Sequence, residues 1–254
     1  GFLTSNELGK KESKFQLNAC FCDKCGLVQL DYLVSPDIMY KNYIYFSSTS
    51  DLLQRHFSEL ADEVVNRFLS KSDFVVEIAS NDGIVLRNFK RLGMNVLGVE
   101  PATNIANFAN GLGIETLNEY WSSGLAERIV KNRGRADAVL ANNVIGHVHD
   151  LHDFANGISI LLKDDGVAVI QVQYLVDFIE RLEYDTIYHE HVSYISLHPV
   201  MHLFRQYGLQ VFDVKRFQNI HGGSIRFYIR KNQGQEKVVK ELIKYESNQG
   251  FLSK

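Results

Sequence analysis

The segment Asp185-Thr-Ile-Tyr-His-Glu-His191 puts four proton-handling side chains, Tyr188, His189, Glu190 and His191, in consecutive positions. Histidine has the unperturbed pKa nearest neutrality, and neighbours tune it, which suits general acid–base chemistry. In an extended strand Tyr188 and Glu190 would share one face, and His189 and His191 the other. A core strand has little use for so many polar groups, because each buried one needs a partner. Framed by Ile187, Val192 and Tyr194, the run reads as an active-site segment rather than a solvated loop.

Three further clusters could meet it. Glu77-Ile-Ala-Ser-Asn-Asp-Gly83 follows an apolar run and offers an acidic residue, a short polar loop and one glycine. It lacks both the dinucleotide fingerprint G-x-G-x-x-G and the phosphate loop G-x-x-x-x-G-K-[ST]. The remaining pattern suits a cofactor with a cation, an amino acid and a ribose, which describes S-adenosylmethionine. Glu77, Ala79, Ser80, Asn81 and Gly83 are the expected contacts, with Glu100 receiving the ribose hydroxyls and Pro101 beside it. Asn142-Asn-Val-Ile-Gly-His147 brings Asn142, Asn143 and His147 to the same place, whereas His149 and His152 read as exposed loop residues. His221-Gly-Gly-Ser224 with Arg226 precedes the last strand. Its two glycines allow close backbone approach, and Arg226 can pair with a phosphate.

The elements that must position these groups alternate short β-rich and helical runs, the pattern of an α/β fold with a parallel sheet. Strands are expected at 74–79, 95–100, weakly at 115–118, then at 136–141 and 167–172. Helices are expected at 83–92, after Pro101, and at 122–131, 151–162, 176–182 and 199–207. Two closing strands fall at 211–217 and 224–230, the last antiparallel. In such a sheet ligands bind at the carboxyl ends of strands, where the polar clusters fall.

Composition is that of an ordinary globular chain: 254 residues, 45% hydrophobic, 22% charged, net charge -3. No dense basic block marks a nucleic-acid surface, and no apolar run reaches bilayer length. The three cysteines fall between Cys20 and Cys25 and build no disulfide framework, so a reducing cytoplasm is expected. The start at Gly1 and the polar end read as cuts in a longer protein. The sequence does not speak to oligomeric state.

Taken together, Glu77–Gly83, Leu97-Gly-Val-Glu-Pro101, Asn142–His147, Asp185–His191 and His221-Gly-Gly-Ser-Ile-Arg226 resemble the S-adenosylmethionine-dependent sugar C-methyltransferases. These enzymes methylate C3 of dTDP-4-keto-deoxysugars, and the resemblance runs from about Leu17 to Ile229. It implies a Rossmann-like class I methyltransferase sheet over residues 51–232, a remnant of an amino-terminal zinc-binding module and linker over 1–50, and the start of a truncated region over 233–254. Cys22-Asp-Lys-Cys25 resembles half of the zinc module. Cys20, Cys22 and Cys25 give at most three of the four ligands of a structural site, so no metal is expected here, and zinc only in a longer protein with the missing C-x-x-C. The resemblance also makes the 39–50 stretch part of the pocket, with Tyr43 or Tyr45 reaching substrate and Ser47, Ser48 and Thr49 donating hydrogen bonds. His191 is the expected base, assisted by Tyr188 and Glu190, with His147 and Asn143 stabilising an oxyanion or holding substrate, and His221 and Arg226 binding substrate. The implied partner is a nucleotide sugar. O-methylation of a small molecule, or a non-catalytic cofactor-binding fragment, are the alternatives.

Overall fold

The computed structural model describes residues 5, 6, 8, 9, 12–40 and 45–251. It opens with β1 (Ala19–Phe21), β2 (Val28–Leu30), α1 (Pro36–Tyr40) and the long α2 (Asp51–Phe68). The alternating part follows as β3 (Phe74–Ile78), α3 (Leu86–Arg91), β4 (Asn95–Val99), α4 (Thr103–Gly111), β5 (Thr116–Leu117), α5 (Ser123–Arg133), β6 (Ala136–Asn142), α6 (Leu151–Leu161) and β7 (Leu162–Gln173). It closes with α7 (Leu175–Glu180), β8 (Ser193–Tyr194), α8 (Leu197–Arg205), β9 (Leu209–Phe217), β10 (Ser224–Lys231) and α9 (Lys237–Asn248).

The main sheet has seven strands in the order β5-β4-β3-β6-β7-β10-β9. The pairs from β5 to β7 are parallel, and β10 is antiparallel to both β7 and β9. This is the expected α/β architecture, with its antiparallel closing strand. Helices cover both faces, which is why the central strands are near-continuous apolar runs. Alternation along β3 sends Val76 and Ile78 into the core under α5, α6 and α8, and Val75 into the core under α2 and α3. A three-stranded sheet, β1-β2-β8, ties the amino-terminal segment to the residues that directly follow His191.

Several expected boundaries move. The fifth strand starts at Leu162, not Val167, carrying Asp164 and Asp165 as exposed strand residues. Gly166 permits this: a Cβ there would lie 3.0–3.1 Å from the carbonyls of Asp137 and Ala136 on β6, so the strands approach closely only without a side chain. Helix α3 begins at Leu86, because residues 82–85 form turns around the cofactor loop. Pro101 precedes α4, whose N-cap is Ala102. Residues 184–191 form turns rather than a strand, with the His191 N–H donating to the Tyr188 carbonyl at 3.0 Å. Tyr188 and His191 therefore share one side, where an extended chain would separate them.

Candidate active site

A cavity of about 650 Å³ opens at the carboxyl ends of β3, β4, β6 and β7, the position that open α/β sheets reserve for ligands. Glu77, Ala79, Ser80, Asn81, Glu100, Pro101, Asn142 and Asn143 line one region of it. Tyr188, His191, His147 and His221 line the same cavity. The described parts of the four sequence clusters thus converge.

The loop after β3 is held tightly. Ala79 and Asn81 take positive φ values of 51° and 48°, a left-handed conformation that asparagine tolerates better than most residues. Asn81 is its hub: its N–H donates to Glu100 Oε2 at 3.0 Å, and its Nδ2 donates to the Tyr45 carbonyl at 3.1 Å. Its Oδ1 accepts from the N–H groups of Ser47 at 3.0 Å and Asp82 at 2.9 Å. Ser48 N–H reaches Asp82 Oδ2 at 3.0 Å. Ser47 and Ser48 therefore serve the site as a backbone clamp on this loop, while the Thr49 hydroxyl donates to the Phe46 carbonyl at 2.8 Å. Gly83 is not a lining residue. Its φ of +77°, with a would-be Cβ 3.1 Å from the Ile114 side chain, makes it a turn and packing position.

Fit for a polar, cationic cofactor is testable on orphaned atoms. Glu77 Oε2, Ser80 Oγ, Asn142 Oδ1 and Asn143 Oδ1 are buried without a protein partner, an arrangement that costs free energy unless a ligand supplies donors. Burial raises the Glu77 carboxyl to about 8, with Asp82 and Glu100 adding to the rise and the Asn142 hydrogen bond opposing it. Burial also raises Glu100, against the N–H donors of Ala102 and Asn81. Two raised carboxylates and four unpaired polar atoms facing one cavity fit a group that brings hydroxyls and positive charge. They match S-adenosylmethionine.

On the other side, hydrogen bonds fix two imidazole tautomers. His191 Nδ1 lies 2.9 Å from the Thr186 carbonyl, and His147 Nδ1 lies 2.7 Å from the Glu190 carbonyl. A carbonyl only accepts, so both Nδ1 atoms carry the proton and both Nε2 atoms carry lone pairs. The Tyr188 hydroxyl donates to His191 Nε2 at 3.0 Å. The two imidazole rings are 5.0 Å apart. Burial and the neighbouring His191 lower His147 to about 4, and burial also lowers His191. Both are neutral at pH 7.

The His-Gly-Gly-Ser turn presents His221 to the cavity, with Asn143 Nδ2 3.3 Å from its Nε2. Arg181 Nη1 clamps the turn by donating to the Gln218 carbonyl at 2.8 Å and the Gly222 carbonyl at 2.6 Å. The groups that approach these glycines are side chains of the chain's own α7 region. A Cβ at Gly222 would collide with the Glu183 carboxyl, and one at Gly223 with Asp177.

Four further expectations are corrected. Arg226 is 1% exposed and does not line the cavity. It turns under the sheet toward α2, donating to Gln171 Oε1 at 2.9 and 3.0 Å and pairing with Glu63 at 3.2 Å. Glu190 enters the site through its carbonyl, which receives His147 Nδ1 and the Tyr40 hydroxyl at 3.2 Å. It is not among the lining residues. His149, expected in solvent, lines the cavity with a buried, unpartnered Nε2; His152 is exposed as expected. His147, neutral and carrying its proton on Nδ1, presents an acceptor to the cavity and cannot donate to an oxyanion. Tyr43 lies outside the described residues, and Tyr45 lines the cavity. Tyr40, inside the 39–50 stretch expected at the pocket, also lines it, as do Tyr120 and Trp121, which nothing in their sequence spacing singles out.

Cys22 and Cys25 share one turn, closed by Gly26 N–H donating to the Cys22 carbonyl at 2.8 Å. Among the described residues no group of three or more His, Cys, Asp or Glu side chains is arranged to hold a metal ion. Among them, too, no helix is long and apolar enough to cross a membrane.

Comparison with known proteins places this geometry. A family model described as a methyltransferase domain matches residues 53–214, and a zinc-binding domain model matches residues 1–40. The C-methyltransferase NovU of Streptomyces niveus is 35% identical over 258 residues, 98% of this chain and 61% of NovU. The chain therefore spans less than two thirds of that relative. A ubiquinone biosynthesis O-methyltransferase of Rhodopseudomonas palustris (strain TIE-1) is 34% identical over 97 residues, 38% of each protein. Magnesium protoporphyrin IX methyltransferase from Synechocystis PCC 6803, solved with bound SAH, superposes with a TM-score of 0.56 at 10% identity, covering 75% of this chain and 89% of that one. A structure from Clostridium acetobutylicum ATCC 824, an S-adenosylmethionine-dependent methyltransferase, superposes at 0.54 and 10% identity over 71% of this chain and 92% of that one. At these identities the two superpositions show the fold alone.

Proposed function

The chain belongs to the methyltransferase-domain family, and from that premise we propose that it transfers a methyl group from S-adenosylmethionine to carbon, on a nucleotide-linked 4-keto-deoxysugar, through an enolate. The observation that carries this reading is the pinned His191 ring, which lines the cavity that also holds the cofactor cradle and whose Nε2 lone pair accepts from the Tyr188 hydroxyl at 3.0 Å. The identity to NovU over nearly the whole chain supports carbon as the acceptor. Among the described lining residues none is lysine or arginine, which fits a neutral sugar ring in the cavity with its diphosphate held beyond it.

Glu77, Ser80, Asn81, Asn142 and Glu100 would hold the cofactor, Glu100 accepting from ribose hydroxyls. When bound, S-adenosylmethionine supplies an electrophilic methyl on a sulfonium. Once the Tyr188 hydroxyl turns from it to the ketone oxygen, His191 Nε2 takes the proton on C3 of the substrate, made acidic by the C4 ketone, and the electron pair moves into an enolate. Thr186 keeps the imidazole facing this way throughout. The Tyr188 hydroxyl, raised above its usual pKa by burial and by Glu190, stays protonated and is the donor available to the enolate oxygen. His147 Nε2 accepts from a substrate hydroxyl and so orients the ring. A correctly placed base contributes roughly 10²–10⁴ in rate.

The test has two stages. Calorimetric titration with S-adenosylmethionine and S-adenosylhomocysteine should give micromolar binding. Turnover of a 4-keto-deoxysugar nucleotide by the full-length protein should then place the new methyl on carbon. A methyl found on oxygen would replace this reading with O-methylation using the same base.

A further inference from the structure

We propose that His149 is the hydrogen-bonding partner of the cofactor's nucleobase, an adenine, and sets the protein's preference for adenosyl over other nucleosides. The inference rests on the reading of this cavity as an S-adenosylmethionine site, and adds a residue and a ligand group that reading does not assign.

The argument starts from the geometry of the sugar. A ribose whose hydroxyls meet Glu100 sends its sulfur arm and its base in opposite directions. The sulfur arm must face His191, so the base extends the other way. That direction leads past β4 toward the loop after β5. There Trp121 lines the cavity and is pinned by its Nε1 donating to the Phe154 carbonyl at 3.2 Å. The first turn of α6 is stitched to the same loop, because Asp153 accepts from the N–H of Ser123 at 3.1 Å and from its hydroxyl. His149 immediately precedes Asp150, the N-cap of that helix. The chain thus leaves His147, beside His191, and within two residues reaches the first turn of α6 beside that loop.

His149 lines the cavity there, and its Nε2 is buried without any partner. A buried polar atom in that state costs free energy until a ligand completes it. Burial alone lowers the imidazole, so the ring is neutral, and with its proton on Nδ1 the open Nε2 is an acceptor. The adenine amino group supplies that acceptor with an N–H, where hypoxanthine presents a carbonyl that cannot donate.

The experiment is calorimetry of the wild-type chain, His149→Ala and His149→Gln with S-adenosylhomocysteine and with S-inosylhomocysteine, whose base replaces the amino group by a carbonyl. Melting curves check folding, and the Gln variant keeps a donor and an acceptor in reach if the Ala variant folds poorly. The wild type should favour the adenosyl ligand roughly 10- to 100-fold, the range of one buried hydrogen bond. His149→Ala should lose most of that preference, and His149→Gln should recover part of it. A folded Ala variant that binds the adenosyl ligand within twofold of wild type, or keeps the same preference, overturns the assignment while leaving the cofactor reading intact. A wild type that binds neither ligand overturns the cofactor reading, and this assignment with it.

Discussion

The Tyr188 hydroxyl lies 3.0 Å from Nε2 of His191, whose Nδ1 is tied to the Thr186 carbonyl 2.9 Å away. One histidine is thereby oriented by a backbone acceptor behind it and covered by a phenol in front. His191→Ala should cut turnover roughly 10²–10⁴-fold while leaving S-adenosylhomocysteine affinity within a few-fold. Steady-state kinetics beside calorimetry checks both halves. Full methyl transfer by the variant would remove His191 as the base.

The acid limb of the pH–rate profile follows from the same pair. A base must be unprotonated, and burial holds His191 below its ordinary 6.5. Activity should therefore fall with decreasing pH only below 6.5, with His147 at about 4 contributing further down. Because neighbouring imidazoles titrate together, the limb reports the pair. A midpoint above 6.5 would contradict the assignment.

Glu77 makes a prediction about stability as well as binding. Its carboxyl, raised from 4.5 to about 8 in the fold, favours folding below 4.5 and loses that contribution as pH rises toward 8. Cofactor-free Glu77→Gln should thus be the more stable protein at pH 8, by roughly 1–3 kcal/mol, and should bind S-adenosylmethionine at least tenfold more weakly. Denaturant melts at pH 5 and pH 8 read the first effect. Equal stability of the two proteins at pH 8 would count against a strained carboxyl.

Arg226 should behave as a structural residue. Replacing it with alanine removes donors from Glu63, which keeps Arg67, Lys215 and Tyr228, and from Gln171, which keeps His56, and should cost about 1–3 kcal/mol of stability. Where the variant stays folded, the substrate KM should hardly move. A raised KM at unchanged stability would return Arg226 to the substrate.

Gly223→Ala places a methyl against Asp177 at a φ of +133°. It should destabilise the protein by roughly 1–3 kcal/mol and, by shifting His221, should lower activity further at temperatures well below the melt. Thermal denaturation with parallel rate measurements separates the two effects.

How far the sequence speaks depends on the range of the interaction. Glu77 and Glu100 were legible because each ends a buried strand, and strand ends fix direction. The parallel strands were legible from the alternation of elements, whereas their order in the sheet was not, because it depends on which strands pair across the fold. Arg226 was not, because the partners that draw it under the sheet, Glu63 and Gln171, lie 163 and 55 residues away along the chain. A cation in a strand after a glycine turn looks the same whether it faces ligand or core. His149 was missed for a related reason. Only the stitching of α6 to the loop after β5 turns that segment inward, and no local pattern announces it. The left-handed glycines were recognised as a close approach, but Glu183 and Asp177, the groups that approach, became identifiable only once α7 was placed.

The central claim is that His191 creates a carbon nucleophile for the methyl group. Its most direct test supplies the full-length protein with ¹³C-methyl S-adenosylmethionine and a 4-keto-deoxysugar nucleotide, and reads the product by two-dimensional NMR beside a His191→Ala control. The account predicts a labelled methyl correlated to a sugar carbon next to the ketone, absent in the control. A labelled methyl on oxygen, or an unchanged yield from His191→Ala, would contradict it.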